Sequence, residues 1–171
     1  MAKPTDVFND AKWVKIRRAV ERAGNAHVKV GVLSTKGGNE QAESGNISMI
    51  ELAAIHEFGS PAAGIPQRSF IRSTFKVHKT KELEAFTRRL ALEIINKDTP
   101  IEAALGKLGI WAVAQVKNTI KGKQTLGPED QANKPSTIAK KGSSTPLVDT
   151  GRLINAIASE VVPHKMEGGE S

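Results

Sequence analysis

The chain of 171 residues has no cysteine and no tyrosine, and its aromatic residues are limited to five Phe and two Trp. Without cysteine there is no disulfide framework, iron–sulfur site, thiolate zinc site or cysteine nucleophile, and a reducing compartment is the natural setting. With so few aromatics, an aromatic stacking platform for single-stranded nucleic acid is not expected. No apolar run approaches the ~18 residues of a membrane span, so no membrane is expected among its partners. The opening MAKPTDVFND has no apolar stretch of the signal-peptide kind. What remains is a chain long enough for one domain with a real core. Its 25 basic against 18 acidic residues leave a net charge of +7, which favours contact with a polyanion or an acidic protein surface.

Hydrophobic spacing predicts a first helix from Asp6 to Ala23, with Val7, Trp13, Ile16 and Val20 on one stripe and Gly24 as the stop. His27 to Leu33 alternates with period two and predicts a half-buried strand. Ser34–Gly45 reads as a polar loop. Ser48 and Glu51 form a capping box that opens the helix MIELAAIHEF, which Gly59-Ser60-Pro61 ends. After an irregular, proline-interrupted stretch at 60–67, one continuous helix is predicted from Phe70 to Asn96. Thr99, Pro100 and Glu102 carry the signals of a second capped start. Ile101, Leu105, Leu108, Ala112, Val116 and Ile120 are its expected buried face, and Gly106 and Gly109 its expected points of close packing. Pro135–Lys141 has room for one helical turn, Asp149 or Thr150 caps a short helix over 151–157, and Ser159–Val162 reads as a strand.

The fold class expected from this order is α+β: a small antiparallel sheet packed by several helices, including a long helix pair, with extended polar loops. One domain is expected over 1–163, with mobile loops near 34–45 and 122–147 and a disordered tail at 164–171.

Catalytic signatures are sparse. His56-Glu57 begins like a zinc-protease helix, but position 60, where the second ligand belongs, is Ser60. The ring of His56 is better placed to bond the last carbonyls of its helix. His27 and His164 have no evident partner. No nucleophile elbow, Walker A or dinucleotide fingerprint occurs, and Asp149 before Thr150-Gly151-Arg152 reads as a cap. No enzyme, metal or cofactor is expected. Arg68, Arg72, Lys76 and Lys79 recur at helical spacing and predict a basic face for phosphates or an acidic neighbouring subunit. A second basic cluster comprises Lys12, Lys15, Arg17, Arg18 and Arg22.

Two segments together carry a resemblance. The first is Ala54-Ile55-His56-Glu57-Phe58-Gly59 followed by Ile65-Pro66-Gln67-Arg68-Ser69-Phe70-Ile71-Arg72. The second is Pro135-Ser136-Thr137-Ile138-Ala139-Lys140-Lys141-Gly142 followed by Pro146-Leu147-Val148-Asp149-Thr150-Gly151-Arg152-Leu153. In this order they resemble the neck and tail-completion proteins of tailed bacteriophages, the group of phage morphogenesis and minor tail proteins related to the HK97 head–tail joining component. Ser69 stands where that family often has Pro.

The resemblance implies a non-enzymatic virion component made in the host cytoplasm. It implies a homo-oligomeric ring, typically of six copies, between the tail tube protein and the head–tail connector or adaptor, near genomic DNA in the channel. It supplies no catalytic residue to carry over. Arg68, Phe70, Arg72, Lys76, Asp149 and Arg152 are the residues expected at subunit or partner contacts. The rival readings are a sequence-independent DNA-binding protein and a metal-dependent phage hydrolase acting through His56 and Glu57.

Overall fold

The computed structural model describes residues 10–42, 47–122, 125 and 151–164. The elements are α1 (Asp10–Ala23), β1 (His27–Val32), a 3-10 turn (Ser34–Lys36), α2 (Met49–Phe58), a 3-10 turn (Pro61–Ala63), a π-helical segment (Ser73–His78), α3 (Thr80–Lys97), α4 (Ile101–Lys121), α5 (Arg152–Ala156) and β2 (Ile157–Val162). The class is α+β. The helical turn expected at Pro135–Lys141 lies outside the described residues, as does all of the polar stretch 122–147 except Gly122 and Thr125.

β1 and β2 pair antiparallel from His27 opposite Val162 to Val32 opposite Ile157. β2 therefore starts two residues before the expected strand. Ile157 leaves the short helix because its side chain belongs to the core, where it is 2% exposed. That core gathers Ala53 of α2, Phe70, Val116 and Ile120 of α4, Leu153 and Ile154 of α5, and Ile157, with Val32, Ile71, Phe75 and Val113 packed around it.

α4 lies across the sheet, and Gly109 is its point of closest approach. A Cβ at Gly109 would stand 2.7 Å from Ser159 Oγ, 2.9 Å from Ser159 Cβ and 3.0 Å from Val28 Cγ2. At Gly106 a Cβ would meet nothing within 4 Å. Only one of the two glycines serves packing, and it serves the sheet. The buried face of α4 is accordingly Ile101, Ala104, Gly109, Ala112, Val116, Thr119 and Ile120. It is rotated from the expected stripe toward the small residues that let the strands come near. Gly109→Ala should destabilise the fold by about 1–3 kcal/mol through overpacking. Gly106→Ala should stabilise it by about 0.5–1 kcal/mol through helix propensity alone. Urea unfolding of the two variants checks both signs.

The continuous helix expected over 70–96 is broken. Ser73–His78 winds with π geometry, and the amide of Lys79 donates to the Thr74 carbonyl over five residues at 2.8 Å. The hydroxyl of Thr74 sits 2.6 Å from the Phe70 carbonyl and 2.8 Å from Thr119 Oγ1, with Thr74 and Thr119 both buried. A hydroxyl bonded back to the preceding turn bends a helix, and a π turn absorbs one extra residue. Lys79 (φ −125°, ψ 15°) then leaves helical geometry before α3 begins. The α3–α4 pair is joined by Asp98 in the left-handed conformation (φ 52°) and held by stacking of Phe86 on Trp111 (ring centroids 5.3 Å apart) and by Lys107 Nζ on Glu93 Oε2 (2.7 Å). The expected Thr99 capping box does not form: Pro100 is the N-cap of α4, without a side-chain bond. Thr99 lies one position too early, in the turn that Asp98 starts.

α1 is described from Asp10 on, and the expected start at Asp6 lies, with Val7, outside the described residues. Its buried side chain is Ala19, while Trp13 and Val20 are 54% and 66% exposed. Of the expected apolar stripe, Ile16 is half-buried while Trp13 and Val20 face outward, because the body meets α1 at Ala19.

Candidate functional site

α2 opens with the capping box that its sequence predicts. Ser48 N donates to Glu51 Oε2 (2.7 Å) and Glu51 N donates to Ser48 Oγ (3.2 Å). The box fixes the phase of the helix, and nine residues after Ser48 that phase delivers Glu57 inward at the penultimate position. Glu57 is 6% exposed, and its carboxylate is the centre of the site. Oε1 accepts from Ser69 Oγ (2.7 Å), Arg72 N (3.1 Å) and Arg72 Nε (3.1 Å). Oε2 accepts from Phe70 N (2.8 Å) and Ile71 N (3.0 Å). The Glu57 carbonyl also accepts from Arg72 Nη2 (2.8 Å) and Gln67 Nε2 (3.1 Å), and the His56 carbonyl accepts from Arg68 N (2.8 Å).

The amides of residues 70–72 are those that the start of a helix leaves without intrahelical partners. A carboxylate placed there satisfies them and meets the positive end of the helix dipole. Burial pushes the Glu57 carboxyl up. The Ser69 hydroxyl and the amides of Ile71, Arg72 and Phe70 outweigh that and hold it below its ordinary value. The group stays ionised at neutral pH with both oxygens occupied. It works as a clamp between two segments, and neither oxygen is placed to take a proton from a substrate.

Gly59 makes the clamp possible. It takes φ 79° and ψ 168°, and a Cβ there would lie 2.9 Å from Gln67 N. The proline loop turns back at this point, with Ser60 bridging Ile65.

The expected contact residues differ in burial and in what holds them. Phe70 is 0% exposed and belongs to the core, so the expectation that it touches a partner is corrected: no part of its ring reaches the surface. Arg72 is held by Glu57, and its guanidinium lies over the Phe58 ring at 5.0 Å from the centroid. Arg68 precedes the helix and is half-buried, and burial pushes its pKa down from the ordinary value. Lys76 is exposed on the π segment, and Lys79 pairs with Glu82 at 3.2 Å. Of the basic residues expected along 68–79, Arg72 and Lys79 are thus engaged by acids of this chain, Arg68 is half-buried and Lys76 is exposed. Arg152 Nη2 donates to the Gln41 carbonyl (2.8 Å) and so ties α5 to the segment after β1. Asp149 lies outside the described residues.

His27 and His164 have a common partner that their sequence positions hide. His27 Nδ1 is 2.9 Å from the Asn25 carbonyl, and His164 Nδ1 is 2.8 Å from Asn25 Oδ1. Among the described residues no three His, Asp or Glu side chains gather in a way that could hold a metal ion, and no helix is long and apolar enough to cross a membrane.

Sequence reasoning missed the Glu57 clamp, although one signal was present. An acid in the last turn of a helix faces the negative dipole end, which is unfavourable unless a partner elsewhere compensates. Compared with protein-family models, curated proteins and solved structures, the chain matches none.

Proposed function

We propose that this protein is a structural component of a tailed bacteriophage: a neck or tail-completion subunit that assembles into a ring and joins the head connector to the tail tube. The observation that carries the reading is how the motif residues are used. His-Glu-Phe-Gly and Arg-Ser-Phe-Ile-Arg are welded into one unit by the Glu57 carboxylate, and Leu153 of the second block sits 4% exposed in the core. The Glu57 carboxylate, which the hydrolase reading would use, has both oxygens taken up by hydrogen bonds within the chain. Large apolar side chains, meanwhile, stand in the open: Ile110 is 73% exposed, Val20 66% and Leu92 52%. A rigid frame with apolar side chains on its outside suits a part that works by docking.

Electron microscopy and sedimentation of the purified full chain test the reading. Rings, six-membered by analogy with the family it resembles, are the expected result, and labelled protein should locate between capsid and tail in particles. A monomer that binds duplex DNA with an affinity falling steeply with salt would replace this reading with the DNA-binding one.

A further inference from the structure

We propose, resting on the ring reading above, that neighbouring subunits join through the sheet: the outer edge of β1 in one copy pairs antiparallel with the outer edge of β2 in the next. Among the described residues the sheet has two strands, of six residues each, so each strand has one edge with no ladder partner. A two-stranded sheet is marginal alone, and an open edge is a template for another strand. Neither HVKVGV nor IASEVV contains proline, the residue that most directly blocks such pairing.

Charge selects which edges meet. Lys29 and Glu160 are directly opposite in the ladder and so lie on one face of the sheet. On that face β1 carries His27, Lys29 and Gly31, and β2 carries Ala158, Glu160 and Val162. Pairing like edges about a two-fold axis brings Lys29 toward the same lysine of a second copy, or Glu160 toward the same glutamate. Opposed like charges destabilise a ladder, and opposite charges support it. Pairing unlike edges sets Lys29 against the glutamate of the next copy and continues the Lys–Glu row from subunit to subunit. Glu160 is already steadied by Thr35 Oγ1 on its Oε2 at 2.9 Å. The register within the subunit also carries over. Alternate residues of an antiparallel strand turn their amides and carbonyls to opposite sides, so groups facing outward on β1 meet groups facing outward on a neighbouring β2. Joining unlike edges is a head-to-tail contact, the kind that closes rings and does not stop at a dimer.

Two charge reversals test this with the full chain. Lys29→Glu and Glu160→Lys should each melt cooperatively, yet associate about tenfold more weakly than wild type. An equimolar mixture of the two should assemble again, because each junction then sets an acid against a base in alternating subunits. Amides of β1 and β2 that do not point to the partner strand should exchange slowly in assembled protein and fast in dilute monomer. Undiminished assembly of both variants, or a mixture no better than its components, overturns edge pairing and leaves the ring reading standing. A wild type that stays monomeric at every concentration overturns both.

Discussion

Glu57→Ala should destabilise the protein by about 2–4 kcal/mol, because a buried acceptor is removed and several donors are left unsatisfied. The size follows from what is orphaned: three backbone amides at a helix start, the Ser69 hydroxyl and the Arg72 guanidinium all lose their acceptor at once. Glu57→Gln keeps the shape and should lose less, about 2 kcal/mol, because an amide has one acceptor oxygen and its NH2 faces donors. The pH dependence has a definite sign. The carboxyl is held below its ordinary 4.5, so its contribution is complete above that value and fades as pH falls through the lower folded-state value. The stability gap between wild type and Glu57→Gln should therefore be constant from neutral pH down to about pH 5 and narrow below 4.5. Urea midpoints measured across that range are the check. A gap that widens in acid would mean that the carboxylate is not the stabilising form.

Phe70→Ala should cost about 3–5 kcal/mol, whereas Phe58→Ala should cost about 0.5–1 kcal/mol. The two rings are twelve residues apart and look interchangeable in sequence. Phe70 is 0% exposed beneath α4 and α5, so its removal opens a cavity in the centre of the core. Phe58 is 67% exposed and gives up only the contact of its face with the Arg72 guanidinium. Thermal unfolding of both variants separates them. Equal losses would mean that the proline loop packs differently from the arrangement described. Phe58→Ala, being folded, also shows whether this exposed ring takes part in association.

What could be read in the sequence was local, and what could not was tertiary. The capping box at Ser48 and Glu51, the alternation of β1 and the length of α4 all follow from neighbours within four residues, and all appear in the structure. The α1 stripe appears only in part, at the half-buried Ile16, because periodicity does not say how far round a helix the body will reach; here it reaches Ala19 and leaves Trp13 and Val20 exposed. The long helix failed at Thr74, whose hydroxyl meets Thr119, a residue 45 positions away that no local pattern connects to it. The clamp was half legible. Glu57 is out of place at the end of α2, but its donors lie 12 to 15 residues further on, across a loop whose path Gly59 and the prolines determine.

The two tryptophans of the chain stand in opposite surroundings. Trp111 is stacked on Phe86 within the α3–α4 pair, while Trp13 is 54% exposed on the outer side of α1. The protein thus carries two intrinsic optical reporters. Iodide reaches Trp13 and should quench the red-shifted part of the emission first. Opening of the helix pair should register through Trp111. A single Trp13→Phe variant resolves the signals, so that covering of α1 and melting of the body can be followed separately in one cuvette, without a label.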